Sequence, residues 1–314
     1  MCIREYVQNN QNREQFEQFI STKLGYGRWD AAYWFVGPEE GGAGDCLQMT
    51  TRIDQWAATM PAGVFALKDL RDYCYRIGVH QFHGFHAAAA IRQPTWCSLI
   101  QLLGSPNGNP PAWMPVPAQN DPLFDNRFWT RRFQRDYLGR AEIAVRDHDV
   151  ALFDISPLPS PNETLWLWAC VQGTLVEHAA TYASRSNFLG REVAPRTSFA
   201  RRRINLILQR LRVAEKKPEL LMFYGCYGRG RNYLTEPITN AVGQIVDPAI
   251  IPAWGRPTHQ NPVVYARITH EDQTVTHVMW VHHPRVWSAI YLNQIRQCFH
   301  DNGFEPWALN PELQ

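Results

Sequence analysis

Glu39 and Glu40 follow an apolar run, residues 32–36, and sit within Gly37-Pro38-Glu39-Glu40-Gly41-Gly42. Carboxylates at such a point can position a water or stabilise a developing cation, and the glycines let a substrate approach the backbone. Asp154 lies in a second apolar run, 150–156, which gives way to Pro157-Leu158-Pro159-Ser160-Pro161. A third run, 219–225, ends just before Arg229 and Arg231, a pair suited to phosphate oxygens. A fourth, 274–281, ends in His282-His283-Pro284-Arg285-Val286-Trp287, where a titratable donor precedes bulky apolar side chains. An acid for water, a polar reader, arginines for phosphate and a histidine beside an apolar wedge together suit a site that receives an extruded nucleotide.

Each residue also has a plainer reading. Spacing does not choose between Glu39 and Glu40 as the working acid. Asp154 could cap a turn ahead of Pro157. Trp287 could pack the last helix, Arg229 and Arg231 could be solvated loop charges, and His282 reads as structural. His80, His83 and His86 stand at three-residue spacing near Cys74, a pattern open to zinc. Gly78 and Gly84 argue against a helix there and no acidic ligand is close in sequence, so they read as loop or lid histidines; neither a metal nor a cofactor is assigned. Residues 196–217 hold eight basic side chains against Glu215 alone: Arg196, Arg201, Arg202, Arg203, Arg210, Arg212, Lys216 and Lys217. That stretch is either a solvated helix face or a surface that tracks phosphates.

The elements that must position these residues follow from periodicity. A short apolar run closed by Gly or Pro reads as a buried strand of a parallel sheet, and open α/β sheets carry their ligand crevices at the strands' C-terminal ends. Four such strands are expected, with residues 263–268 as an added one. Helices are expected over 12–24, 53–59, 67–77, 95–103, 128–138, 164–185, 198–213 and 288–300. Residues 105–122, rich in Pro, Gly and Asn, read as an extended loop. The stretch from about 43 to 148 is too long for a simple crossover and is expected to form an inserted helical and loop layer over one end of the sheet. The expected fold is a three-layer α/β/α sandwich around a central, mainly parallel, four-stranded sheet, in a single domain of 314 residues.

Composition narrows the function classes. Hydrophobic residues make up 45% and aromatics 12%, which excludes a disordered chain. The net charge is only +2, so nucleic-acid binding must come from local clustering. The seven cysteines (2, 46, 74, 97, 170, 226 and 298) are scattered, with no Cys-x-x-Cys pair, which points to reduced thiols in a cytoplasmic protein and against a cysteine-held cluster. Residues 1–5 carry no apolar signal segment, and no run approaches membrane-spanning length.

In order and strand-end placement these motifs resemble the uracil-DNA glycosylase superfamily. Gly37-Pro38-Glu39-Glu40-Gly41 is similar to its first loop. Phe153-Asp154-Ile155-Ser156-Pro157-Leu158-Pro159 resembles its base-reading strand and Pro-containing segment. His283-Pro284-Arg285-Val286-Trp287 resembles its closing His-Pro segment, wedge and helix. The resemblance covers the four-strand core, not 43–148. It implies a monomeric, cofactor-free DNA glycosylase that flips a base and hydrolyses its N-glycosidic bond. Glu39 or Glu40 would act on water or the cationic sugar, and His283 on the departing base. Asp154 with Ser156 would read the base edge. Arg229, Arg231 and Arg285 would meet phosphates, with Val286 or Trp287 as wedge; the local charge excess of 196–217, not the resemblance, adds Arg201, Arg202 and Arg203 to the expected DNA contacts. The chain departs from that pattern at Glu40, where Pro is usual, at Asp154, where Asn is usual, and at Arg285, where Ser is common. An Asn amide can donate and accept, as uracil's edge requires, whereas an ionised Asp only accepts, which suits the exocyclic amine of cytosine. The expected target therefore extends to modified cytosines such as those of bacteriophage DNA, an antiviral role. A non-catalytic nucleic-acid-binding protein on the same fold is the alternative, and a metal-dependent hydrolase centred on His80, His83 and His86 is a third.

Overall fold

The computed structural model describes residues 3–41, 46–59, 66–78, 80–141, 148–160, 193–226, 234–246, 257–258 and 262–308. The expected helix at 164–185 lies outside the described residues. In chain order the elements are α1 (Ile3–Tyr6), α2 (Asn10–Thr22), β1 (Lys23–Tyr26), β2 (Tyr33–Gly41), α3 (Cys46–Ala57) and β3 (Ala66–Lys68). Then come α4 (Leu70–Arg76), α5 (His80–His86), α6 (Pro94–Gln101), α7 (Trp129–Asp136) and β4 (Val150–Ser160). The chain continues through α8 (Val193–Val213), β5 (Leu220–Tyr224), α9 (Thr235–Gly243), β6 (Val264–Thr269), β7 (Val275–Val281) and α10 (Ala289–Asp301).

Among the described residues the sheet has seven strands, in the order β3-β1-β4-β2-β5-β7-β6, not the four expected. The expected strands are its centre: β4, β2, β5 and β7 are adjacent and mutually parallel. β6, expected as an added strand, runs antiparallel beside β7. β1 and β3, parallel to each other, complete the far edge, with β1 antiparallel to β4.

Side chains of these strands alternate between two cores, as the pleat requires. Tyr33, Phe35, Val150, Leu152, Leu220, Met222 and Met279 join one face, with Phe16, Phe19, Trp56, Leu99 and Phe133 from the helices over it. Trp34, Val36, Ala151, Phe153, Leu221, Phe223 and Trp280 join the other, under Ile204, Ile207 and Leu211 of α8 and Ile238 of α9. Burial on both faces explains why the central strands read as unbroken apolar runs. Trp34 is fully buried, and its truncation to Ala costs about 3–5 kcal/mol. The stretch from 43 to 148 is less separate than expected: β3 extends the sheet, and Trp56, Tyr73, Leu103 and Trp129 belong to the first core.

Two strands run further than their sequence suggests. β2 continues through Pro38 to Gly41, and β4 through Pro157 and Pro159 to Ser160, where loops were expected. β5 leaves β2 after Val36, and β1 leaves β4 after Phe153. Beyond those points each strand has one neighbour among the described residues, and proline is tolerated where no ladder N–H is needed. The result is a two-stranded ribbon, with Glu39 opposite Ser156 and Gly41 opposite Ser160, extending past the C-terminal edge of β5.

Candidate active site

The register of the central strands assembles the site. Asp154 on β4 is the cross-strand partner of Gly37 on β2. Over Gly37 lies Tyr224, the last residue of β5: a Cβ at position 37 would stand 2.5 Å from its hydroxyl oxygen. Only glycine leaves room for that ring. The Tyr224 ring in turn meets His283 edge to face, with centroids 6.0 Å apart at 62°. Between β5 and the His283 segment, Gly225 has φ +61, and a Cβ there would stand 2.6 Å from His283 Cδ2. Contacts thus pass from Asp154 to Gly37, Tyr224 and His283 across strands remote in sequence.

His283 follows β7 and caps the short 3₁₀ turn Pro284–Val286, its Nδ1 accepting from the Arg285 N–H at 3.2 Å. With Nδ1 accepting, the neutral ring carries its proton on Nε2. The turn is pinned from behind. Tyr291 Oη donates to the Pro262 carbonyl at 2.6 Å and accepts from the His282 N–H at 2.9 Å; burial raises its phenol pKa above the ordinary value. Trp287 Nε1 donates to the His282 carbonyl at 2.8 Å, and the indole packs against the first core. Trp287 thus holds the segment, whereas Val286 stands out at 68% exposure beside the exposed Arg285.

Asp154 is neither a turn cap nor a solvated acid. Its Oδ2 lies 3.1 Å from Lys23 Nζ, with the two side chains 9% and 0% exposed. Lys23 also sits 5.7 Å from the Phe19 ring centre and 5.3 Å from that of Tyr26, a setting that favours a cation. Lys23 carries no motif and falls at the end of the helix expected over 12–24, so nothing in the sequence marked it.

The expected DNA-contacting arginines divide. Arg203 is buried, its Nη2 donating to the Lys23 carbonyl at 2.5 Å and the Asp154 carbonyl at 2.8 Å; this corrects its assignment to DNA, because a guanidinium clamping the β1–β4 edge cannot reach phosphate. Arg201 is exposed and paired with Glu236 at 2.8 Å, and Arg202 is exposed. Arg229 and Arg231 lie outside the described residues. For Glu39, Glu40 and Ser156 the strand positions are described but the side chains are not.

The three histidines lie on α5, a helix where a loop was expected. His86 is buried, its ring nitrogens have no hydrogen-bond partner among the described residues, and desolvation pushes its pKa down to about 4. His83 Nε2 lies 3.1 Å from the Tyr75 carbonyl oxygen. Among the described residues no group of three or more His, Cys, Asp or Glu side chains could hold a metal ion. Cys97 and Cys298 are free thiols, and Cys74 and Cys226 are buried. No described helix is long and apolar enough to cross a membrane. Comparison with protein-family models, curated proteins and solved structures finds no match for this chain.

Proposed function

We propose that this chain is a DNA glycosylase, similar to the uracil-DNA glycosylase superfamily, acting on a damaged or modified base that presents an amine to Asp154. The observation that carries the reading is the juxtaposition at one sheet edge of the Gly37–Gly41 segment, Asp154, Tyr224 and His283, at the end of open α/β sheets that binds ligands. The acid of the β2 extension, Glu39 or Glu40, orients a water and takes its proton while the oxygen bonds to C1′ and the N-glycosidic bond breaks. The bonding pair leaves with the base, and His283 Nε2–H stabilises the resulting negative charge at a base carbonyl. Asp154, ion-paired with Lys23, accepts a hydrogen bond from an exocyclic amine, so cytosine-type bases are favoured over uracil. Val286 fills the gap in the stack and Arg285 meets the backbone.

The test is mass spectrometry of free bases released from varied DNA, including cytosine-modified bacteriophage DNA. Release lost in Glu39→Gln or Glu40→Gln, with DNA binding retained, supports the reading. Binding without release from any substrate favours a non-catalytic DNA-binding protein instead.

A further inference from the structure

A concave site lies at the opposite, N-terminal edge of the sheet. It is a cavity of about 550 Å³, within the roughly 300–1,000 Å³ typical of small-molecule pockets. Its inner wall is aromatic. Trp113 and His148 stack with centroids 3.9 Å apart at 15°, and Tyr137 lies 5.9 Å from Trp113. Both rings of the stack are anchored at their edges: the Trp113 indole N–H donates to the Pro306 carbonyl at 2.7 Å, and His148 Nδ1 lies 3.2 Å from the hydroxyl of Tyr33, the first residue of β2. Val116, 92% exposed, and its flanking prolines form an apolar rim.

The polar side of the cavity is unevenly matched. Asp121 and Asp136 are both engaged by Arg135, which gives two bonds to Asp121 at 2.8 and 3.0 Å and two to Asp136 at 2.8 Å. Arg132, one helical turn away on α7, also lines the cavity, is 4% exposed, and has an Nη1 without a hydrogen-bond partner among the described residues. A buried guanidinium is costly unless an acceptor meets it. Desolvation accordingly lowers the Arg132 pKa, although Asp121 and Asp136 lie close enough to oppose that shift. A planar fork beside an aromatic wall matches a planar anion.

We propose that this cavity binds a small planar molecule bearing a carboxylate, its ring against Trp113 and its carboxylate on Arg132. The site shares no residue with the strand-end site and stands independently of the glycosylase reading. The probes are indole-3-acetate and benzoate, with the neutral amides of each as controls, titrated into the full chain by calorimetry. Acid binding with Kd below about 1 mM, amides weaker by about tenfold or more, and a comparable loss in Arg132→Met are expected. Absence of acid binding, equal binding of the amides, or undiminished binding to Arg132→Met overturns the proposal. Should Arg132→Met not fold, Val116→Trp takes its place: the exposed rim position leaves the core untouched, and undiminished acid binding to that variant is equally fatal.

Discussion

Lys23 and Asp154, buried together at 3.1 Å, tie the proposed base-reading carboxylate to the stability of the sheet. Removing one partner of a buried pair leaves the other charge unmatched at a cost of about 3–5 kcal/mol, whereas replacing both with apolar groups of similar size is often neutral. Asp154→Asn is therefore expected to lose several kcal/mol in urea unfolding, and Lys23→Met with Asp154→Leu to recover most of it. A single variant as stable as the parent would show that the pair is not closed to solvent. Two histidines give a second measurable consequence. Burial pushes His86 and His277 down to about 4 from 6.5. The folded chain resists their protonation and the unfolded chain does not, so stability is full above 6.5, falls as the pH drops from 6.5 to 4, and levels off below. Each contributes a loss of about 2 kcal/mol between about pH 7 and pH 5. His86→Phe should remove about half of the combined loss; equal pH sensitivity in that variant and the parent would count against it.

Among the elements, the turn after β5 and the 3₁₀ turn after β7 fit only because of Gly225, whose φ of +61 and 2.6 Å clearance to His283 exclude a side chain. Gly225→Ala is expected to cost about 1–2 kcal/mol through backbone strain. By displacing His283 it should also slow base release about tenfold or more while leaving the circular dichroism unchanged. Unaltered release would detach His283 from the chemistry. The central strands were legible because burial on both faces writes itself as a continuous apolar run, and α2, α6, α8 and α10 because a single buried stripe has a period near 3.6. β1 and β3 were not, since Lys-Leu-Gly-Tyr and Ala-Leu-Lys are too short to show a period and draw their order from neighbours. α5 hid behind Gly84, whose propensity is overridden by packing of Phe85 into the Trp96 edge. At the site, the sequence marked Asp154 and His283 by their place at strand ends. It could not reveal Lys23 or Tyr224, because their roles arise from cross-strand contacts that no local pattern encodes.

For the whole molecule, the balance of charge decides how DNA would be held. The net charge is +2, and the basic stretch that stands out in the sequence is partly consumed by the fold. Arg203 is buried on backbone carbonyls, Arg201 is paired with Glu236, Arg210 lies 5.6 Å from the Trp29 ring centre, and Lys217 donates to the Arg212 and Ala214 carbonyls at and just past the C-terminal end of α8. Four of the eight basic residues of that stretch are engaged in this way, so binding should depend mainly on phosphate contacts near the strand ends. The logarithm of the binding constant is then expected to fall with the logarithm of salt concentration at a slope of only about −2 to −4, measured by fluorescence anisotropy on a short duplex. Arg285→Ala should make that slope shallower by about 1, because a phosphate contact is lost, while Arg201→Ala should leave it nearly unchanged. A slope near −8 would mean that the entire face of α8 lies along the DNA, and the strand-end edge would no longer be the principal binding surface.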